Sequence, residues 1–535
     1  VTTLIDDLSQ TVKEFGNRVA LKYYEREITY NQLDLLSNGV ARQLSEFATS
    51  GDTIILCTQN IPQFPVVEYA AWKLGLVVLP VNPSYTSREF TYVLQDSKAK
   101  VAVAQCESKP SIEAAARSLG SSLHVIPTNS HTFFNVPERY AKKWGFVDGE
   151  EALDLIPLSS TPYLNDKGVK APLSEDPALL VYTSGTTGEP KGAVIRHRNI
   201  HAGADIYKRW FRFTQFDRIL GLAPFFHVTG LVFHLAAVIL SGACVVFTGR
   251  FDPLLATEEV HQHQTTLTML AATAYLSILN LPDHEKFDFS SMRLWSSGGM
   301  AVPRQLEEDW KRLTGDWIYV AWGMTETSSP ATLWPYPYSG PLPVDPETGV
   351  VSAGTPVFDT KVKVVDDEGR ELPEGQTGEL CVMGPQVIDT YLNKPEATAK
   401  SFLGTWLLTG DLAKIYNGWV FVIDRKKDII NSSGFKIWPR EVEEVLFAHP
   451  AVSEAAVVGV PDSYRGETVK AYISLKYGWT PSETLKGDIV EHCRKRLAPY
   501  KVPRNIEFVN EIPKTLSGKL LRRVFREPSL TGEQE

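Results

Sequence analysis

Three apolar runs in this chain end in small residues, and that pattern narrows the fold more than any other feature. Ala178-Leu179-Leu180-Val181-Tyr182 runs into Thr183, Ser184 and Gly185. Arg293-Leu294-Trp295-Ser296-Ser297 runs into Gly298 and Gly299, and Trp317-Ile318-Tyr319-Val320-Ala321-Trp322 runs into Gly323. Each has the length and composition of a buried strand. In open α/β sheets ligands bind beyond the carboxyl ends of strands. The three ends, 181–188, 294–299 and 318–323, are therefore expected to converge on one site.

The rest of the first 345 residues repeats the alternation. Residues 53–57, 77–81 and 101–104 read as buried strands, with a helical stretch over 66–74 between the first two. Residues 28–33 read as a strand end feeding a helix, with Thr29 or Asn31 as its cap. Residues 219–224 and 243–247 are strand-like again. The pattern predicts doubly wound α/β layers. Residues 125–175, polar and broken by Pro and Gly, are expected to form a long irregular connection.

From about residue 350 the texture changes. Residues 361–365 and 378–382 alternate around a turn at Asp366-Asp367-Glu368-Gly369, which predicts a smaller antiparallel β subdomain over about 350–424. Asp424-Arg425-Lys426-Lys427-Asp428 is a charged hinge candidate. A strand over 455–460 and a helix over 486–497 follow it. The expected division is thus 1–424, a large N-terminal domain, and 425–535, a small α+β domain.

Bulk properties exclude some classes. At 535 residues the chain is too long for one core. Its net charge of −9 argues against nucleic acid as main partner, yet leaves room for a small anion in a locally positive cleft. The five cysteines are scattered, with no close Cys-x-x-Cys spacing, which fits a reducing, cytoplasmic setting and neither a disulfide framework nor a zinc site. The longest apolar stretch, 231–247, is interrupted by His234, Ser241 and Gly242 and reads as a buried helix turning into a buried strand, not as a membrane span. Peripheral membrane contact and a homodimer stay open.

The first strand leads into Tyr182-Thr183-Ser184-Gly185-Thr186-Thr187-Gly188-Glu189-Pro190-Lys191-Gly192. Its glycines allow close backbone approach, and successive N–H groups can nest phosphate oxygens. The hydroxyls add donors and Lys191 adds charge. No Walker A pattern can be drawn through it. Composition alone also fits an ordinary surface turn.

The full string Thr-Ser-Gly-Thr-Thr-Gly-x-Pro-Lys-Gly resembles the phosphate loop of the adenylate-forming superfamily, which includes acyl-CoA synthetases, adenylation domains of peptide synthetases and beetle luciferases. Further motifs resemble that family's in order, from Ser184 to Lys519. The resemblance implies an ATP site made of Thr183, Ser184, Gly185, Thr186, Thr187, Gly188 and Lys191, with Ser297, Gly298 and Gly299 from the second strand end. Trp322-Gly323-Met324-Thr325-Glu326 resembles a motif that usually begins with Tyr. It would add Ala321, Trp322, Gly323, Met324 and Thr325 to the nucleotide site and Glu326 as a Mg²⁺ ligand. The alternative is a helix start capped by Thr325 with Glu326 in its first turn.

Thr409-Gly410-Asp411 resembles the ribose-binding motif, in which the Asp411 carboxylate accepts from both hydroxyls; the alternative is a plain hairpin turn. Ile423 and Arg425 complete the implied nucleotide contacts, and Lys427 holds the pivot position; a solvated charged turn is the alternative. Ser433, Gly434, Phe435 and Lys436 match the loop that lines the CoA tunnel in relatives. Phe226, His227, Val228 and Gly230 resemble the acyl segment, shared with Gly298, Trp322 and Gly323; a hydrogen-bonded loop histidine is the alternative for His227. Lys519, in Pro513-Lys514-Thr515-Leu516-Ser517-Gly518-Lys519, would reach the reacting carboxylate and α-phosphate. The catalytic set so implied is Lys519, Glu326, Thr183 and His227.

The wording after Leu372 is similar to bacterial long-chain fatty acyl-CoA synthetases. The implied activity is ATP- and Mg²⁺-dependent adenylation of a carboxylic acid, then thioester formation with CoA, with a medium- or long-chain fatty acid as substrate. Loading of a carrier protein, or ligation of an aryl or terpenoid acid to CoA, remains the alternative.

Overall fold

The computed structural model describes residues 2–129, 171–183, 190–462, 464–515 and 520–526. Ser184 to Gly188 and Lys519, all singled out above, lie outside the described residues, as does most of the predicted irregular connection. Among the described residues the strands form four sheets.

A six-stranded sheet has the order His124–Thr128, Val101–Gln105, Thr53–Cys57, Val77–Pro80, Pro177–Thr183, Lys191–Arg196. Its pairs are parallel except the last, which is antiparallel. The expectation that irregular chain begins at 125 is corrected here: His124–Thr128 pairs with Val101–Gln105. Two apolar residues, Val125 and Ile126, suffice because the neighbouring strand offers a ready ladder.

A nine-stranded sheet carries the other two strand ends. Leu294–Ser297 and Ile318–Trp322 lie side by side and parallel, with Ser297 opposite Val320, so both carboxyl ends emerge on one edge. The predicted helix-to-strand run is a buried π-helical stretch, Gly230–Ala236, then Ala237–Ser241 and the strand Cys244–Phe247. The helix Tyr30–Leu44 takes Thr29 as its cap, not Asn31, because Gln32 closes a reciprocal capping box.

The texture change at 350 marks a five-stranded antiparallel sheet built from Lys361–Val365, Thr377–Met383, Phe402–Leu403, Trp406–Tyr416 and Trp419–Arg425. It has its own apolar cluster, including Val364, Leu380, Val382 and Leu407. The smaller C-terminal domain pairs Ile430–Ser432, Phe435–Ile437, Val452–Asp462, Gly466–Leu475 and Asn505–Phe508, packed with the helices Pro439–Phe447 and Glu483–Arg494 around a separate core. The strand Trp419–Arg425 runs through Asp424 and Arg425, and one 3₁₀ turn, Lys426–Asp428, joins the two parts.

Candidate active site

A cavity of about 330 Å³ lies between the strand ends and the C-terminal domain. Gly299, Ala321, Trp322, Gly323, Asp411, Arg425 and Lys427 line it, as do Arg440, Glu443, Glu444 and Arg522 from the C-terminal side. Gly323 is sterically required. A Cβ there would come within 1.4 Å of the Ser329 carbonyl oxygen, so the chain turns off the strand only because no side chain is present.

Thr325–Thr327 is one short 3₁₀ turn, not the start of a long helix. Glu326 within it is buried, and its Oε1 accepts a hydrogen bond from the Tyr391 hydroxyl at 2.7 Å. Burial and the Glu326 charge push the Tyr391 phenol well up. Lys191 Nζ sits 4.9 Å from the Tyr391 ring centroid. Thr183 pairs with Lys191 across the strands, and its hydroxyl donates to the Lys191 carbonyl at 3.4 Å. The two strands flanking residues 184–189 are thus tied to each other and, through Tyr391, to Glu326. Among the described residues no group of three or more His, Cys, Asp or Glu side chains could hold a metal ion. Mg²⁺ commonly binds beside phosphates through one or two carboxylates together with ligand oxygens, and Glu326 offers one buried carboxylate.

Thr409-Gly410-Asp411 is not a hairpin turn. It lies inside the strand Trp406–Tyr416, where the register with Thr377–Met383 slips between Glu379 and Cys381 and Gly410 takes φ +70°. Such a bulge re-aims a side chain. The Asp411 carboxylate, only 4% exposed, accepts from the Trp322 indole N–H at 2.9 Å on Oδ2 and meets Arg425 Nε at 2.6 Å on Oδ1. Ile423 is not brought to the cavity. Strand alternation puts Val422 there and buries Ile423.

His227 stands on the loop before the π-helical stretch. Its Nδ1 accepts from the Thr229 backbone N–H at 3.3 Å, so a neutral ring carries its proton on Nε2. Val228 belongs to the main core, Phe226 packs against that core and Gly230 is buried, and this segment does not line the 330 Å³ cavity. Ser433 and Gly434 are the two central residues of a hairpin between Ile430–Ser432 and Phe435–Ile437, at φ +51° and +82°. That geometry alone accounts for the glycine. Residues 433–436 are exposed and away from the cavity, and Phe435 stacks on Tyr500 with 4.6 Å between centroids.

The C-terminal wall is a network of ions. Asp424 accepts from the Arg440 backbone N–H at 2.9 Å and from Arg522 at 3.1 Å. Arg522 also engages Glu443 at 3.0 Å through Nε and approaches Asp428 at 3.5 Å. Burial alone pulls the Arg522 guanidinium down, but Glu443, Asp424 and Asp428 outweigh it and hold it above the usual range. Glu444 accepts from the Arg304 backbone N–H at 3.1 Å, at the start of the helix Arg304–Thr314, and burial raises it to about 7.

Sequence reasoning missed Tyr391 and the Asp424–Arg522–Glu443 cluster. For the cluster a compositional signal existed: acidic residues at 424, 428 and 443, with a basic Arg522 near the tail. Nothing local marks Tyr391. No described helix is long and apolar enough to cross a membrane.

Comparison with known proteins bears on the same residues. The family model described as AMP-binding enzyme matches residues 8–392, and the AMP-binding enzyme C-terminal domain matches 441–519. The chain is 33% identical over 538 residues to the long-chain-fatty-acid–CoA ligase of Bacillus subtilis, covering 97% of this chain and 93% of that protein. Among solved structures, anthranilate CoA ligase AuaEII with anthranoyl-AMP matches at 29% identity and TM-score 0.86, over 98% of this chain and 96% of that one. MatB from Rhodopseudomonas palustris matches at 26% identity over 99% of both chains, with TM-score 0.85 when ATP is bound and 0.74 in its apo structure. With both domain models matched in order and a full-length relative above 30% identity, the chain belongs to the AMP-binding enzyme family.

Proposed function

We propose that this chain is an acyl-CoA synthetase that couples ATP to a carboxylic acid, then passes the acyl group to CoA. The observation that carries this reading is the meeting of a buried carboxylate, Asp411, with the glycine-ended strands at Gly299 and Gly323 on one cavity. The names of the relatives support it, and the Bacillus subtilis ligase favours a medium- or long-chain fatty acid.

The chemistry follows from charge. A carboxylate is already a nucleophile, so no general base is needed. The obstacle is bringing an anion to the α-phosphate of a polyanion. Lys191 and Lys519 are the side chains assigned to that phosphate region, and Asp411 to the ribose hydroxyls. Mg²⁺, held by Glu326, supplies further positive charge against the phosphate oxygens when bound. Attack forms the acyl–oxygen–phosphorus bond of acyl-AMP and releases pyrophosphate. Thiolate attack on that mixed anhydride then forms the thioester and releases AMP. His227, with its N–H on Nε2, is assigned to the acyl carboxylate.

One site does not easily hold both Lys519 and a CoA path. We assign the pivot to Lys427 and the domain boundary to 424–428, so that rotation withdraws Lys519 and presents residues 433–436. The better fit to ATP-bound MatB supports reading the present arrangement as the adenylating one. The free state of all five cysteines supports a cytoplasmic setting.

Pyrophosphate release across free acids of varied length and aromaticity, with and without CoA, tests the reading. Release with fatty acids and CoA-dependent thioester formation are expected; no release with any acid contradicts it. A second reading, an aryl acid ligase, is favoured by the likeness to the anthranilate enzyme. Turnover of aryl acids alone selects it.

A further inference from the structure

The residue at 322 is Trp where the motif usually has Tyr, and its indole carries a donor on the ring itself. Its N–H donates to Asp411 Oδ2 at 2.9 Å. Trp322 is the last residue of the parallel strand Ile318–Trp322, whereas Asp411 belongs to the antiparallel strand Trp406–Tyr416. The bond therefore joins two different sheets across the cavity that both residues line. The ring body is fixed as well, packed with the apolar cluster of the antiparallel sheet around Leu380 and Leu407. The N–H is thus held at one place and not free to search.

Asp411 needs such holding. It follows Gly410 in a bulge, so the ladder is broken beside it. A lone carboxylate on a bulge can rotate about its Cβ–Cγ bond. The indole N–H is bonded to Oδ2, and the Arg425 guanidinium is paired in charge with Oδ1 at 2.6 Å, while Oδ1 itself accepts no hydrogen bond. Each oxygen keeps further acceptor capacity, and the plane that carries it is set. Two vicinal hydroxyls ask for two acceptors in a fixed orientation, which a turning carboxylate does not offer.

We infer that Trp322 is a positioning residue that locks Asp411 for recognition of the nucleotide's ribose hydroxyls. This rests on the reading of Asp411 as the ribose acceptor. Trp322 acts through Asp411, so its loss changes nucleotide affinity and selectivity ahead of turnover. A charge-assisted hydrogen bond of this kind corresponds to about tenfold in affinity.

The test compares ATP with 2′-deoxy-ATP and 3′-deoxy-ATP in pyrophosphate release by the full chain. Trp322→Phe keeps an aromatic ring and removes the donor; Trp322→Leu, which also has no donor, is the second variant should Phe compromise folding. In either, KM for ATP should rise about tenfold with kcat little changed, while the deoxynucleotides lose less, so selectivity narrows. Asp411→Asn separates the two claims. If it leaves ATP selectivity intact, the ribose assignment itself fails, and this inference with it. If Asp411→Asn abolishes selectivity but both folded Trp322 variants keep it, only the positioning role is overturned.

Discussion

The two walls of the cavity are built on different physics. The N-terminal floor is set by backbone register: Ser297 opposite Val320 in parallel strands, and a turn at Gly323 that no side chain could share. The C-terminal wall is set by charge. Asp424, at the end of the N-terminal sheet's last strand, holds Arg440 N–H and Arg522 from across the seam. Register cannot be exchanged without unfolding a sheet. Ionic contacts can be broken and remade among polar partners. The difference is in keeping with the proposed roles, a fixed nucleotide floor and a wall that moves.

Removing a seam charge should have the largest effect. Arg522→Ala leaves Asp424 and Glu443 without their guanidinium, and loss of one member of a buried ion pair costs about 3 kcal/mol or more. A lower melting temperature, with adenylation falling more than thioester formation from supplied acyl-AMP, is expected. Unchanged stability would mean that the wall is not held by charge. Next comes Lys519→Ala, which should slow adenylation by at least roughly a hundredfold, since a donor aimed at developing charge typically contributes about 3–4 kcal/mol. The thioester half-reaction should survive, and equal losses in both would remove the assignment. Lys427→Pro restricts the pivot torsion and should harm the second step more than the first, as single-turnover rates would reveal.

The smallest effect concerns pH. Glu444, raised by burial to about 7 while accepting from the Arg304 N–H, holds its proton longer in this arrangement than an ordinary carboxyl. Its contribution is full below the ordinary carboxyl range and is lost as pH rises toward about 7. Melting temperature measured from pH 5 to 8 should therefore fall less in Glu444→Gln than in the parent protein, and identical profiles would contradict it.

Much of the floor was legible in the residues. Apolar runs closed by Ser and Gly mark strand ends because burial and tight turns both leave local traces. The same holds for the cap at Thr29 and the buried run through Phe247. The side-chain pairings of floor and wall were not legible, because the partners lie far apart in sequence: Glu326 with Tyr391 and Trp322 with Asp411 in the floor, Asp424 with Arg522 at the wall. Such pairings depend on tertiary placement. One tripeptide can suit two geometries. At Thr409-Gly410-Asp411 the hairpin turn offered as the alternative to the ribose motif does not form; the segment is a bulge inside a strand. At Ser433-Gly434 the hairpin accounts for the glycine, so the glycine by itself does not distinguish a ligand loop from a plain turn. Ile423 was assigned to the nucleotide by motif, whereas alternation turns it inward.

The most direct test is a crystal structure with a non-hydrolysable acyl-AMP analogue. The account predicts the ribose against Asp411, the phosphate between the Lys191 strand and the C-terminal lysine loop, and the acyl group toward His227. An analogue bound away from Asp411 and from the strand ends at 183 and 191 would contradict it.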